Sequence, residues 1–133
     1  MLDVKELRIG NYVDHTPLFN KLTYLVKGIN RNYIEGVEYK FKDNDFGIHR
    51  IETSIIEPIP LTEEWLIKFG FESDPYQDRY ILVTDNGEFI VHCNKTKGYL
   101  ELWIDLSLRT VDLKTVHQTQ NLFYELGEEL TIK

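Results

Sequence analysis

A proline pair followed at once by a helix-start signal divides this chain. Pro58 and Pro60 flank Ile59, and because proline has no N–H to give a sheet ladder and pushes its predecessor toward extended geometry, no strand runs through this point. Thr62 stands just beyond as an N-cap, with Glu63 and Glu64 in the first turn and Gly70 placed as a terminating glycine. That spacing predicts a short helix over Glu63–Phe69. The prolines end the preceding strand, and a helix starts immediately afterwards. The 133 residues are therefore expected as one domain, with a β-rich subregion 1–60 and a helix, meander and helix in 61–133.

The first subregion reads as strands. Arg8–Val13 is short and broken by Gly10 and Asn11. Leu22–Ile29 is rich in β-formers, Asn30–Asn32 supplies a turn, and Tyr33–Phe41 follows. In that last run Val37, Tyr39 and Phe41 share one face while Glu38 and Lys40 share the other, the alternation of a half-buried strand. Asp43, Asn44 and Asp45 make a polar turn, and Gly47–Glu57 returns as a further strand. The pattern predicts a small SH3-like or curled antiparallel sheet.

In the second subregion Trp65, Leu66 and Phe69 form the apolar stripe of the short helix. Glu72–Asp78, polar and interrupted by Pro75, reads as a loop. Tyr80–Thr84 and Glu88–Cys93 flank Asp85-Asn86-Gly87, a hairpin signal, and after a turn at Asn94–Gly98 the strand Tyr99–Ile104 completes a three-stranded antiparallel meander. The last element is a helix: Thr115 caps it, Val116, Thr119, Leu122, Phe123 and Leu126 form its buried stripe, and Gly127 ends it. The fold class expected is α+β.

Composition narrows the function classes. Eight Tyr, seven Phe and two Trp give the chain enough large apolar groups to offset ordering entropy, so it is expected to fold. Cys93 is the single cysteine, which rules out an internal disulfide and a multi-cysteine metal site and fits a reducing, cytoplasmic setting. No apolar run approaches the ~18 residues of a membrane span, so no membrane partner is expected. A net charge of −7 and a pI near 5.1 disfavour nucleic acid. Binding to a phosphate backbone would require Lys5, Arg8, Lys21, Lys27, Arg31, Lys40, Lys42 and Arg50 to gather on one face.

Catalytic signatures are absent. The sequence has no Gly-x-Gly-x-x-Gly, Walker-type loop or Gly-x-Ser-x-Gly, and His15, His49, His92 and His117 lack metal-ligand spacing. No catalytic residue, metal or cofactor is assigned. His92 and Cys93 are neighbours on a strand and so point to opposite faces, and Cys93 shares its face with Phe89 and Val91 as a structural cysteine. One pattern does suggest recognition. His117, Gln120, Asn121 and Tyr124 recur at i, i+3, i+4 and i+7 on the last helix, a face of hydrogen-bonding groups unlike a Lys/Glu solvated surface. These four form the candidate binding face; the alternative is that the same groups hydrogen-bond a neighbouring loop or simply face water.

Three stretches carry a resemblance: Lys5 to Val13 (KELRIGNYV), Glu57 to Phe71 (EPIPLTEEWLIKFGF), and Val116 to Phe123 (VHQTQNLF) with Gly127 to Thr131 (GEELT). Together they resemble a family of small uncharacterised proteins from phages, prophages and mobile elements of gut Bacteroidetes. The resemblance implies an accessory protein that works by binding a host or phage protein, and it supplies no site residues. The reading is a non-enzymatic protein-binding module. One alternative is a small enzyme or small-molecule-sequestering protein with a pocket between the subregions near His117 or His92. Nucleic-acid binding is the other.

Overall fold

β-branched and aromatic runs separated by turn residues fold into two antiparallel sheets. The computed structural model describes residues 2–16, 21–38, 47–74, 76–94, 99–104 and 109–133. The chain divides into two compact units, Met1–Ile59 with Val116–Asn121, and Pro60–Thr115 with Leu122–Lys133. The division follows the proline pair, with the first six residues of the last helix assigned to the first unit.

The first unit contains β1 (Tyr12–His15), β2 (Leu22–Ile29), β3 (Tyr33–Glu38), β4 (Ile48–Glu52) and β5 (Ile56–Glu57), ordered β4-β3-β2-β1-β5. Four strands meander, a 3₁₀ turn at Thr53–Ile55 reverses the chain, and β5 pairs antiparallel with β1. The sheet is antiparallel throughout, as expected. The run Gly47–Glu57 is thus two strands, not one. The Thr53 N–H donates to the Asn32 carbonyl (3.0 Å) and the Ile56 N–H to the Thr53 carbonyl, which together turn the chain out of β4.

Leu2, Leu7, Val13, Tyr24, Val26, Ile34, Ile51 and Ile56 form one buried cluster. Each such side chain contributes about 1.5–3 kcal/mol when fully buried. The sidedness of β3 differs from expectation: Ile34 and Gly36 are buried, Val37 is half-buried on the opposite side, and Tyr39, Phe41 and the turn at Asp43-Asn44-Asp45 lie outside the described residues. The reason is Tyr24. A Cβ at position 36 would sit 3.2 Å from the Tyr24 Cβ, so glycine there admits the tyrosine, which is only 6% exposed. Apolar alternation could not reveal a core position filled by a neighbour's ring.

The second unit contains α1 (Glu63–Lys68), β6 (Glu72–Asp74), β7 (Arg79–Thr84), β8 (Gly87–Asn94), β9 (Tyr99–Ile104), β10 (Arg109–Leu113) and the second half of α2 (Val116–Glu125). Its sheet is a plain meander, β10-β9-β8-β7-β6. The three expected strands are its centre, and an edge strand is added on each side. β6 falls in the segment read as a loop; Glu72 and Ser73 are exposed, so backbone pairing to β7 and not apolar patterning holds it. At the β7–β8 hairpin Thr84 pairs with Gly87, and the positive φ falls on Gly87 (126°). Of the following turn, residues 95–98 lie outside the described residues.

One face of this sheet is the core face, with Tyr80, Leu82, Val91, Leu100, Leu102 and Leu113 buried. Phe123 of α2 packs on Phe89 at a tilt of 57° with centroids 5.1 Å apart and meets Phe71 edge-on at 5.8 Å. In α1 the predicted stripe of Trp65, Leu66 and Phe69 is buried, and the Thr62 hydroxyl accepts from the Trp65 N–H at 3.4 Å.

Both helices end alike. Gly70 (φ 98°) and Gly127 (φ 91°) adopt the left-handed region. The N–H groups of Phe71 and Glu128 donate to Leu66 (3.0 Å) and Phe123 (2.8 Å), and those of Gly70 and Gly127 to Ile67 (2.9 Å) and Tyr124 (3.1 Å). These are paired Schellman closures, which satisfy the last carbonyls of each helix. A Cβ on Gly127 meets only the Asn86 amide nitrogen at 3.5 Å, an ordinary contact. Gly127→Ala is therefore expected to cost about 1–2 kcal/mol through backbone strain alone, measured by urea unfolding. A variant as stable as the parent would contradict the assigned conformation.

Candidate functional site

The predicted helix face resolves into two parts. His117, Gln120 and Asn121 belong to the first unit and lie together, whereas Tyr124 belongs to the second unit and is 53% exposed. His117 is 4% and Gln120 1% exposed. Their surroundings are built by Arg8-Ile9-Gly10-Asn11, a turn in which Gly10 takes φ 101° and the Asn11 N–H donates to the Arg8 carbonyl at 3.1 Å. The Asn11 side-chain oxygen in turn accepts from the Arg8 N–H at 2.8 Å, locking the turn from inside.

Gln120 then acts as a surrogate strand. Its Oε1 accepts from the Tyr12 N–H at 2.9 Å and its Nε2 donates to the Gly10 carbonyl at 2.8 Å. On the other side of the same backbone, the Gly10 N–H donates to Val26 and the Val26 N–H to Asn11, at 2.9 and 2.8 Å. The outer edge of β1 pairs with β5 only at Asp14 and His15, so the Gln120 amide satisfies the stretch β5 does not reach. Asn121 continues the network, accepting from Asn11 Nδ2 at 2.9 Å and donating to the Glu6 carbonyl at 2.7 Å. His117 Nε2 lies 3.5 Å from Glu6 Oε2, and its Nδ1 is buried with no hydrogen-bond partner. These three side chains hold the helix to its own N-terminal segment.

The other histidines are distributed between the units. His15 and His49 flank Tyr24, with ring centroids 6.3 and 6.1 Å from it. Burial, with Glu38 nearby, pushes the Tyr24 hydroxyl pKa up. Two open cavities of about 360 and 370 Å³ lie on either side of the 3₁₀ turn and share Ser54. The first is lined by His15, Thr16, Ile55, Ile56 and Glu57, the second by Leu2, Asp3, Val4 and Thr53. Cys93 lies on the core face of the second sheet, its Sγ 3.0 Å from Glu63 Oε1. Among the described residues no group of three His, Cys, Asp or Glu side chains is placed to hold a metal ion, and no described helix is long and apolar enough to cross a membrane.

His92 sits on the opposite, outer face of the second sheet, where register brings one row of titratable residues across all five strands: Asp74, Arg79, His92, Glu101 and Asp112, of which Glu101 is buried and the others half-buried. Arg79 Nε pairs with Asp74 Oδ2 at 3.0 Å. Burial, with the Arg79 charge beside it, lowers the His92 pKa against the opposing pull of Glu101. Beside this row runs an apolar one. Glu72, Ile81 and Ile90 are cross-strand neighbours, and Val83 pairs with Glu88. Val83 is 74% exposed, Glu72 and Glu88 are exposed, and Ile81 and Ile90 are half-buried. The sequence reading missed this face because it placed Glu72 in a loop. The signal was present in Tyr80-Ile81-Leu82-Val83, where both parities are apolar and the strand is apolar on both faces. Charge follows the same division: residues 60–133 hold 13 acids and 7 bases, and residues 1–59 hold 9 and 8. Comparison with protein families, with characterised proteins and with solved structures finds no match.

Two outcomes follow from the buried network. Gln120→Ala leaves the Tyr12 N–H and the Gly10 carbonyl without their partner, and is expected to cost about 2–4 kcal/mol in urea unfolding; a loss below about 0.5 kcal/mol would show that the pairing is dispensable. Burial lowers the His117 pKa despite the opposing hydrogen bond and charge of Glu6, and His92 is lowered as well. The unfolded chain then binds more protons below the ordinary histidine value of 6.5. Stability is full above that pH and falls as pH drops through the window down to the folded-state values. His117→Gln is expected to flatten this decline in melting temperature; an unchanged pH profile would exclude His117 as its source.

Proposed function

We propose that this protein is a non-enzymatic protein-binding module whose contact surface is the β6–β8 part of the outer face of the second sheet, the part where Glu72, Val83 and Glu88 are exposed. The observation that carries the reading is the 74% exposed Val83, two residues along β7 from the half-buried Ile81–Ile90 pair, on a sheet whose opposite face already holds the core. An aliphatic strip with charged residues around it is the pattern of an interaction surface, since isolated domains seldom leave contiguous apolar area in water without use. The phage-type accessory role implied by the three sequence motifs supports the same reading. Nucleic acid is disfavoured by pairing as well as by net charge: Lys21 lies 3.8 Å from Asp14 and Arg50 3.9 Å from Glu35, while Lys40 and Lys42 lie outside the described residues.

A small-molecule role draws on a separate observation, the two cavities around Ser54. The protein-binding reading is tested by affinity capture from a bacterial host lysate, with parent and Val83→Glu baits in parallel and nuclease present. Under the protein-binding reading the parent retains a stoichiometric protein that Val83→Glu loses at unchanged melting temperature. The same capture by both baits would remove the sheet face from the function.

A further inference from the structure

From the distribution of charge around the aliphatic row we infer that this face receives a basic amphipathic helix of its partner, with two positive side chains straddling an aliphatic one. The inference rests on the sheet-face reading above and adds the partner's chemistry to it.

Glu72 on β6 and Glu88 on β8 stand on opposite sides of β7, and both are exposed. Glu72 is level with Ile81, and Glu88 is level with Val83, two residues further along β7. Two strand spacings of ~4.8 Å and two residues of ~3.4 Å rise separate their backbones by roughly 12 Å on a diagonal. Ile81 and Val83 lie on the strand between them. The arrangement is an aliphatic centre with one carboxylate on either side. Arg79, the base on this part of the face, is already paired with Asp74 at 3.0 Å and so leaves the bias negative.

A complementary surface must supply apolar area flanked by two cations at a matching distance. On a helix, residues i and i+7 share one face at roughly 10.5 Å, with i+3 and i+4 between them. Lysine or arginine at the outer positions spans the remaining difference with its flexible stem. A helix also suits the architecture, since the half-apolar face of a sheet is covered in layered domains by a helix lying across it. The excess of 13 acids over 7 bases in residues 60–133 steers such a segment toward this unit and not toward the nearly balanced first one.

The probe is a helical peptide of about 15 residues, long enough to be helical on contact, with lysines at i and i+7, leucines at i+3 and i+4, and alanine and glutamine elsewhere. Its counterpart carries glutamates in place of the lysines. Binding is followed by amide chemical-shift titration of the full chain. The lysine peptide is expected to shift Ile81, Val83 and Ile90, to weaken with added salt, and to lose about tenfold in affinity with Glu72→Lys or Glu88→Lys. Glu129→Lys, at an exposed position near the C-terminus, controls for net charge and is expected to leave affinity unchanged. Equal binding of both peptides, absence of binding, or equal losses for all three variants would overturn the inference. If Val83→Glu abolishes lysate capture while neither peptide binds, the sheet face remains the contact surface and only the basic helix is excluded.

Discussion

The first unit depends on one side-chain amide. Gln120 pairs with the backbone of Gly10 and Tyr12 as a neighbouring strand would, and so completes the edge of β1 where β5 stops short. Leaving a buried donor and acceptor unpaired would cost more than most single contacts return. The position therefore demands a side chain that donates and accepts at once and reaches from a helix. Glutamine meets all three conditions. The turn at Arg8–Asn11 and the amide chain through Asn121 serve the same joint, each group satisfying the next.

This joint links the three sequence stretches that carry the resemblance. Residues of the first, Glu6 to Tyr12, are bonded to residues of the third, His117 to Asn121. The second also meets α2 at its start: the Val116 N–H donates to the Ile59 carbonyl at 2.8 Å. Such residues have a structural role in the fold of the first unit, and the face proposed for recognition lies on strands outside those stretches.

In the second unit the governing constraint is sidedness. β7 is apolar on both parities, and Phe123 and its neighbours occupy only one of them. The other parity places Ile81 and Val83 opposite the core among carboxylates. An ordinary solvated face would alternate apolar and polar residues along the strand; this one does so only at its ends.

Local chemistry fixed much of this protein. The cap at Thr62, the glycine stops at Gly70 and Gly127, the strand Leu22–Ile29 and the hairpin at Gly87 follow from residue types acting on their immediate backbone, so they were legible in sequence. The α+β class followed from their succession. What tertiary structure alone decided was which face each pattern met. Gly36 is a core position because Tyr24 fills it, and β6 is a strand because β7 offers a ladder. The polar face of α2 was visible as hydrogen-bonding groups, but whether those groups bind a partner or the chain itself depends on what lies opposite. Here, residues more than a hundred positions away lie opposite, and side-chain periodicity along one element carries no information about that distance.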